Sequence, residues 1–345
     1  MPSDPVQLDV DVLIVGAGPA GLYAAYYAGF RGLSAAVVDA LPEAGGQITA
    51  LYPEKMIFDI AGFPAVRGKQ LVANLVAQAA PFAPRYLLGE QASSCEQETD
   101  GVLVRTDAGS VVRAKAVVVT GGIGTFNPRP LPGGAAWVGR GLEYIVPSYA
   151  PYAGKDVVVV GGGDSAVDWA LGLEEVAASV TLVHRREDFR AHAHSVKLLR
   201  DSTVTLVTSS QVLAIEGGDR VASLTVQDAR TKVTTELPAQ AIVAALGFTA
   251  DITPLEAWGL AIAERHILVD TSMATNLPRV YAAGDITDYP GKVRLISVGF
   301  GEAATAVNNA ATVIDPAATV FPGHSTEQPL STERSSTEQG QDFAA

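Results

Sequence analysis

Hydrophobic and polar residues follow the same order twice along this chain. The apolar stretch VDVLIVG (10–16) predicts a buried strand, AGLYAAYYAGF (20–30) a helix, and LSAAVVD (33–39) a second strand. Strand, helix and strand recur as DVVVVG, SAVDWALGLEEVA and SVTLVHR within residues 156–185. Strands that alternate with helices in this way predict parallel sheets of the α/β class.

Both segments continue into a stretch of alternating apolar and polar residues and then a closing strand. The alternation in residues 101–114 and 221–239 predicts a hairpin in each segment, and AVVVTGG (116–122) and AIVAALG (241–247) predict the closing strands. The second segment is therefore a repeat of the first. A further strand, VYAAGDI (280–286), follows the repeat.

A glycine-rich turn joins the first strand and the helix of each segment. The first turn is Gly16-x-Gly18-x-x-Gly21 and the second is Gly161-x-Gly163-x-x-Ala166. Such turns let the backbone approach a pyrophosphate, which the N-terminus of the following helix stabilises. Each turn therefore predicts a dinucleotide site, which also includes the neighbouring residues Pro19, Ala20, Asp164 and Ser165.

The residue that ends the second strand differs between the two segments. Asp39 lies 23 residues after Gly16, and His184 lies 23 residues after Gly161. A carboxylate at this position accepts hydrogen bonds from ribose hydroxyls and predicts FAD or NAD, whereas basic groups favour the 2′-phosphate of NADP. His184, Arg185 and Arg186, together with Arg190, therefore predict NADP. The alternative is that these residues are consecutive solvent-exposed charges after a strand and bind no nucleotide.

The first segment is about 20 residues longer than the second. The two glycine turns are 145 residues apart, but the closing glycines Gly122 and Gly247 are 125 apart. The extra residues are most simply placed in GGQITALYPEKMIFDIAGFPAVRG (45–68). The first site is expected to need this insert.

Asp285 follows the strand VYAAG, and Gly299 and Gly301 precede a long helical stretch. A carboxylate at the carboxyl end of a strand suits a polyol such as ribityl. The N-terminus of the helix would favour the electron-rich side of a reduced flavin. The alternative is a simple turn that caps a helix.

Length, charge and cysteine content narrow the classes of function. A chain of 345 residues predicts two domains. A net charge of −13 argues against binding to nucleic acid or to an anionic membrane. Cys95 is the single cysteine, so internal dithiol chemistry is excluded. No signal peptide or membrane-spanning stretch is recognised, which predicts a cytoplasmic protein, and His192 and His194 have no further ligands that would suggest a metal.

The motifs GAGPAG, GGQ, GGGDSAVD, HRR, YAAGDI and GEAATAVNNA together resemble the low-molecular-weight thioredoxin-reductase fold of FAD/NADPH enzymes. The stretch GLEYIVPSYAPYAGKD lacks the Cys-x-x-Cys of thioredoxin reductases. QITALYPEKMIFDIAGFP, YPGKVRLISVGFGEA and a C-terminal HS instead resemble the thioredoxin-reductase-like ferredoxin–NADP reductases.

This resemblance implies two Rossmann-like three-layer dinucleotide-binding domains, with the NADP domain inserted into the FAD domain. The FAD domain is expected at 1–121 and 248–326 and the NADP domain at 122–247, and a low-complexity, disordered tail is expected at 327–345. A homodimer is also implied.

The resemblance further implies roles for particular residues. Asp39 would bind the FAD adenosine ribose, and Ala92 would offer backbone to the adenine. Tyr52 would stack on one face of the isoalloxazine, and His324, from the same or the partner protomer, on the other. The remaining expected cofactor residues are Gly46, Gln47, Phe126, Gly284, Asp285, Glu302, Ala303 and Thr326.

The implied activity is hydride transfer from NADPH to flavin N5 and then one-electron transfer to ferredoxin. Two alternatives remain. One is an NADPH-dependent flavin reductase that acts on flavodoxin, a quinone or an external disulfide protein, and the other is a non-catalytic FAD/NADPH-binding redox sensor. Lys55, Arg67, Lys69, Lys292 and Arg294 either form a positive rim for an acidic ferredoxin or are scattered solubilising charges.

Overall fold

The computed structural model describes residues 5–122 and 125–324, without the side chains of 125–127 and 249–251. These residues divide into two compact units. The first unit contains the described residues of 1–46, 57–125 and 252–345, and the second contains 47–56 and 126–251. The insert 45–68 is thus divided between the units, because its residues 47–56 belong to the second.

The helices of the described residues are α1 (Pro19–Phe30), α2 (Gln47–Leu51), α3 (Gly68–Ala79), α4 (Asp164–Glu174), α5 (Ala193–Asp201), α6 (Thr253–Glu256) and α7 (Ile296–Ile314). The strands from the N-terminus to the middle of the chain are β1 (Gln7–Val15), β2 (Ala35–Asp39), β3 (Met56–Ile57), β4 (Val66–Arg67), β5 (Arg85–Leu88), β6 (Ala92–Gln97), β7 (Val102–Thr106), β8 (Val111–Val119), β9 (Thr125–Pro128), β10 (Leu142–Glu143) and β11 (Asp156–Gly161). The later strands are β12 (Ser179–Val183), β13 (Thr205–Val207), β14 (Ser210–Gly217), β15 (Val221–Asp228), β16 (Thr234–Pro238), β17 (Ala241–Ala245), β18 (Phe248–Asp251), β19 (Ile262–Ala263), β20 (His266–Leu268), β21 (Val280–Ala282) and β22 (Thr287–Asp288).

The first unit is built on a mixed sheet with the strand order β5-β2-β1-β8-β7-β6. Strands β5, β2, β1 and β8 run parallel, and β6, β7 and β8 form an antiparallel meander. Strand β21 pairs in parallel with the end of β8. The predicted hairpin at 101–114 is therefore confirmed.

Strand β1 is buried on both faces of this sheet. Val12 and Ile14 pack with α1 and α7 in one cluster, and Leu13 packs with Trp258 and Ile267 in another. A continuous apolar stretch is the expected sequence of a strand that is covered on both sides.

The second unit repeats this architecture. Its main sheet has the order β10-β17-β11-β12-β13, and its paired strands are parallel. Val157 and Val159 of β11 pack against α4 and α5, and Val158 and Val160 pack against the antiparallel strands β14, β15 and β16. The structure confirms the α/β class, the two Rossmann-like dinucleotide-binding folds and the hairpin predicted at 221–239.

Candidate dinucleotide sites

The first glycine turn lies between β1 and α1, and its outer glycines are required by packing. Gly16 has φ +117°, and a Cβ atom there would lie 2.6 Å from the carbonyl oxygen of Thr120. A Cβ at Gly21 would overlap the carbonyl of Gly16. The Thr120 hydroxyl donates to that same carbonyl at 2.8 Å. The turn is therefore held tightly against the end of β8.

Gly18, the central glycine, faces open space. A Cβ atom there would have no neighbour within 4 Å, and α1 begins at Pro19 without a side-chain cap. The backbone of Gly46 approaches Gly18 closely, because a Cβ at Gly46 would lie 2.9 Å from the Cα of Gly18. An uncapped helix N-terminus beside an open glycine provides the N–H donors that a pyrophosphate needs. This cradle fits the dinucleotide FAD.

Asp39 is the last residue of β2, beside this turn. Its carboxylate accepts hydrogen bonds from the N–H of Ala17 at 2.6 Å and from the N–H of Leu41 at 2.8 Å. Burial raises the pKa of Asp39, and these two hydrogen bonds oppose the rise. Each carboxylate oxygen retains acceptor capacity for a hydroxyl. The position therefore suits a ribose.

Residues at the ends of β21 and α7 approach the same turn. A Cβ at Gly284 would lie 3.1 Å from the Cβ of Ala20, and one at Gly299 would lie 3.4 Å from the Cα of Gly284. Asp285 is half-buried, and burial is the main cause that raises its pKa. The structure thus brings the predicted residues Gly18, Ala20, Gly284 and Asp285 into one region of the first unit.

Glu302 and Ala303, which were also predicted as cofactor residues, lie on α7 and are buried. The carboxylate of Glu302 accepts hydrogen bonds from Gly284, Tyr289 and Lys292. The carboxylate of Glu302 therefore binds other residues of the first unit.

The second glycine turn, between β11 and α4, has the same construction. A Cβ at Gly161 would overlap the carbonyl of Ala245 and would lie 2.9 Å from the Cβ of Ala166. Gly163 faces open space, and α4 begins after it without a side-chain cap. Asp164, in the first turn of α4, accepts a hydrogen bond from the N–H of His192 at 2.8 Å, and Ser165 is exposed. This turn also fits a dinucleotide.

His184 follows β12 directly, as the repeat predicts, but its side chain turns inward. The imidazole stacks on Phe189 with ring centroids 5.3 Å apart, and a Cβ at Gly162 would overlap the ring. The residue is 8% exposed, and its Nε2 has no hydrogen-bond partner. Burial, followed by the charges of Arg185, Arg186 and Arg190, lowers the pKa of His184. The neutral, buried imidazole of His184 therefore packs against the second glycine turn at Gly162.

The three arginines near His184 are exposed. The positive charges of Arg185, Arg186 and Arg190 each lower the pKa of His184. The N–H of Arg190 donates to the carbonyl of Gly162 at 2.7 Å, which holds this arginine beside the turn. Exposed guanidinium groups at the end of β12 fit the 2′-phosphate of NADP.

The remaining predicted residues lie in several parts of the fold. Gln47 begins α2, and Tyr52, just after α2, is half-buried in the second unit. Ala92 begins β6 and is buried. His324, in the first unit, is exposed and meets Phe321 edge-on with ring centroids 5.1 Å apart. The side chain of Phe126 and all of Thr326 lie outside the described residues.

The proposed positive rim is corrected at one position. The side chain of Lys292 is 2% exposed and pairs with Glu302, so the prediction that it faces a partner is wrong. Lys55 forms an ion pair with Asp168 of α4 at 2.6 Å, and Arg294 pairs with Asp288 at 3.1 Å. Arg67 and Lys69 are exposed at the start of α3.

Three residues that shape these sites were not predicted from the sequence, and Lys292 was predicted in another role. Gly162 and Phe189 contact His184, and Tyr289 and Lys292 contact Glu302. Gly162 could have been found, because it is the middle glycine of the turn GGGD. No periodicity in the sequence indicates the other three contacts.

The fold and its two glycine turns define a two-dinucleotide oxidoreductase of the α/β class. The chain belongs to the pyridine nucleotide-disulphide oxidoreductase family, whose model matches residues 10–310. It is therefore an FAD- and NADP-dependent oxidoreductase. In the part of the chain that the structure describes, no helix is long and apolar enough to cross a membrane.

Curated relatives match along nearly the whole chain. A ferredoxin–NADP reductase of Nocardioides sp. is 63% identical over 332 residues, which cover 95% of this chain and 99% of the relative. A ferredoxin–NADP reductase of Thermus thermophilus is 51% identical over 324 residues, which cover 92% and 97%.

Solved structures with a similar fold include two thioredoxin reductases. That of T. acidophilum has a TM-score of 0.75 at 26% identity and covers 88% of this chain and 98% of its own. That of Lactococcus lactis has a TM-score of 0.74 at 25% identity and covers 88% and 99%.

Proposed function

We propose that this protein is a ferredoxin–NADP reductase, which transfers electrons between NADPH and ferredoxin through bound FAD. One observation carries the choice of cofactors: two equivalent glycine turns are followed by Asp39 in one unit and by exposed arginines in the other. The choice of ferredoxin is supported by relatives of that name at up to 63% identity over almost the full chain.

In this proposal the first unit binds FAD. The open N-terminus of α1 at Gly18 holds the pyrophosphate, Asp39 accepts hydrogen bonds from the adenosine ribose, and Asp285 binds the flavin portion. Bound FAD supplies the chemistry, since a flavin accepts a hydride and gives up electrons singly. The protein supplies orientation and access and needs no side-chain acid or base for the hydride step.

The second unit selects and holds NADPH. The N-terminus of α4 at Gly163 receives the pyrophosphate, and Arg185, Arg186 and Arg190 bind the 2′-phosphate. His184 keeps the turn in place through its packing against Gly162. Tyr52 and His324 are proposed to cover the flavin ring, the latter from the same or the partner protomer of a homodimer. A cytoplasmic location belongs to the same proposal.

A thioredoxin-reductase activity is the alternative that the solved neighbours raise. This chain contains a single cysteine. Burial and the neighbouring Glu96 raise the pKa of Cys95 to about 11, so its thiol stays protonated at neutral pH. An internal dithiol relay therefore has no residues to use. Flavodoxin, a quinone or an external disulfide protein remain alternative acceptors, and a non-catalytic sensor is the other alternative.

Turnover of the purified yellow protein tests the proposal. Reduction of ferredoxin is measured with NADPH and with NADH at equal concentrations. The proposal predicts FAD in the isolated protein, rapid turnover with NADPH and slow turnover with NADH. A protein that binds both nucleotides but turns over with no acceptor would support the sensor instead.

A further inference from the structure

Lys292 and Glu302 form a buried ion pair in the first unit. The ammonium of Lys292 lies 2.5 Å and 2.7 Å from the two carboxylate oxygens of Glu302, and the side chains are 2% and 5% exposed. The hydroxyl of Tyr289 also donates to Oε1 of Glu302 at 2.6 Å. Burial and Glu302 raise the pKa of Tyr289 to about 12, so this hydroxyl remains a donor.

The pair holds both backbone polar groups of one residue, Gly284. The N–H of Gly284 donates to Oε2 of Glu302 at 2.7 Å, and its carbonyl accepts from the ammonium of Lys292 at 3.0 Å. The same carbonyl also accepts from the hydroxyl and the N–H of Thr287, at 2.8 Å and 3.1 Å. Gly284 has φ +83°, a conformation that other residues rarely adopt. The two peptide groups that flank the Cα of Gly284 are therefore both held by hydrogen bonds.

Gly284 is the residue before Asp285 and is crowded by two helices. A Cβ atom at Gly284 would lie 3.1 Å from the Cβ of Ala20 in α1, and a Cβ atom at Gly299 in α7 would lie 3.4 Å from the Cα of Gly284. A shift of the Gly284 peptide would therefore move the Asp285 carboxylate relative to the N-termini of both helices. Those N-termini and Asp285 form the site that we assign to FAD.

Stability alone does not explain a charged pair at this place. Burying two charges costs a desolvation energy that their attraction scarcely offsets, and apolar residues of similar volume often stabilise a fold equally well. An apolar pair, however, could not give the N–H of Gly284 an acceptor, and it could not add the ammonium of Lys292 to the donors from Thr287 that the carbonyl already has. The ion pair supplies both contacts.

We propose that Lys292 and Glu302 are positioning residues for FAD, which fix the backbone of Gly284 and thereby the orientation of the Asp285 carboxylate. The inference rests on the proposed function only in assigning FAD to the first unit. It requires neither ferredoxin nor NADPH, so it can be tested on FAD binding alone.

The test uses the full-length FAD-bound protein and the variants Lys292→Met, Glu302→Gln and the double change Lys292→Met/Glu302→Leu. The release of FAD after dilution is followed by free-flavin fluorescence, and the melting temperature is measured on the same samples. We expect FAD release at least tenfold faster in all three variants, and a partial return toward the native rate in Lys292→Arg. Lys115→Met is the matched control, since Lys115 pairs with Asp11 at an exposed position of the same unit.

The double variant separates positioning from folding, because it removes both charges and leaves no unpaired ion. The proposal predicts a cooperatively folded protein that releases FAD fast, with a melting temperature lowered only by the loss of an acceptor for the N–H of Gly284 and the hydroxyl of Tyr289. The two single variants add a second measurement, the midpoint potential of the bound flavin. Lys292→Met leaves an uncompensated negative charge and Glu302→Gln a positive one, so the potential should shift in opposite directions, to lower and higher values respectively.

Native FAD retention in the double variant would overturn the proposal, and so would potential shifts of the same sign in the two single variants. Failure of all three variants to fold would also overturn it, since the pair would then serve folding. If instead the native protein contained no FAD, the proposed function itself would fail.

Discussion

The imidazole of His184 lies directly against the backbone of Gly162, so closely that a Cβ atom at residue 162 would overlap the ring. Gly162, which lies between the motif glycines Gly161 and Gly163, is therefore needed for packing within the protein itself. His184 is the residue that corresponds to Asp39 of the first unit. The two act differently, because the His184 ring packs against Gly162 of the second glycine turn, whereas the Asp39 carboxylate accepts a hydrogen bond from Ala17 of the first glycine turn.

This contact predicts a pH dependence of stability. The pKa of His184 is lowered below its ordinary 6.5, mainly by burial, so the folded protein binds fewer protons here than the unfolded chain. The stability that this neutral histidine contributes is fully present above pH 6.5 and is lost as the pH falls toward the lowered pKa. The melting temperature should therefore fall less steeply below pH 6.5 in His184→Asn than in the native protein.

Calorimetry between pH 7.5 and pH 5, as an order-of-magnitude window around the ordinary histidine pKa of about 6.5, measures this slope. His194→Asn is the control, because His194 is exposed. Equal slopes in the native protein and in His184→Asn would contradict the assignment.

The arginine cluster predicts the choice of nucleotide. A charge-assisted hydrogen bond is worth about 1.5–3 kcal/mol, so Arg185→Ala should lower kcat/KM for NADPH roughly ten- to 150-fold. The value for NADH should stay within about twofold, since NADH has no 2′-phosphate. Steady-state kinetics with a small neutral acceptor provide the measurement.

Arg200→Ala controls for a general change in charge, because Arg200 is exposed in the last turn of α5 in the same unit. It should leave both nucleotides unaffected. Equal losses for NADPH and NADH in Arg185→Ala would show that Arg185 does not read the 2′-phosphate.

Cys95 should be dispensable for electron transfer. Its pKa of about 11 keeps the thiol protonated, and the chain contains no second cysteine with which it could form a disulfide. Cys95→Ser should therefore reduce ferredoxin with NADPH at a near-native rate. The flavin content and the melting temperature are measured alongside, and a large loss of turnover with both unchanged would refute this prediction.

Arg67 and Lys69, two residues of the proposed positive rim, allow a test of ferredoxin docking at the start of α3. Arg67 and Lys69 are exposed there, whereas Lys292 is buried. Arg67→Glu/Lys69→Glu should raise KM for an acidic ferredoxin several-fold at low salt. The effect should fade as the screening length drops from about 10 Å at 0.1 M salt toward about 3 Å at 1 M.

A small neutral acceptor serves as the internal control for this surface. Its reduction by NADPH should be unchanged in the double variant, because no complementary charge guides it. A similar loss with both acceptors, or a rise in KM that is independent of salt, would exclude the start of α3 as the docking surface.

The hydrophobic pattern predicted the α/β class and its repeat, and the glycine turns predicted a dinucleotide site in each segment. Residues 12–15 of β1 and 157–160 of β11 are continuously apolar because both faces of these strand segments are covered, and the glycine turns follow them at equivalent positions. The spacing between Gly161 and His184 also placed His184 correctly at the end of β12.

The direction of side chains could not be predicted in the same way. Spacing along the chain does not reveal that Phe189 stacks on His184 and turns it under Gly162. Lys292, in the polar stretch YPGKVR, would ordinarily be solvent-exposed. Only the three-dimensional fold places Glu302 of α7 beside it and buries both.

The proposed electron transfer is tested most directly by anaerobic reduction of the purified protein followed by addition of one acceptor at a time. The flavin absorbance should bleach with one equivalent of NADPH and return when oxidised ferredoxin is added, with two ferredoxins reduced for each NADPH consumed. Thioredoxin, as a disulfide protein, should leave the reduced flavin unchanged. Reoxidation by thioredoxin but not by ferredoxin, or no bleaching with NADPH, would contradict the assignment of this protein as a ferredoxin–NADP reductase.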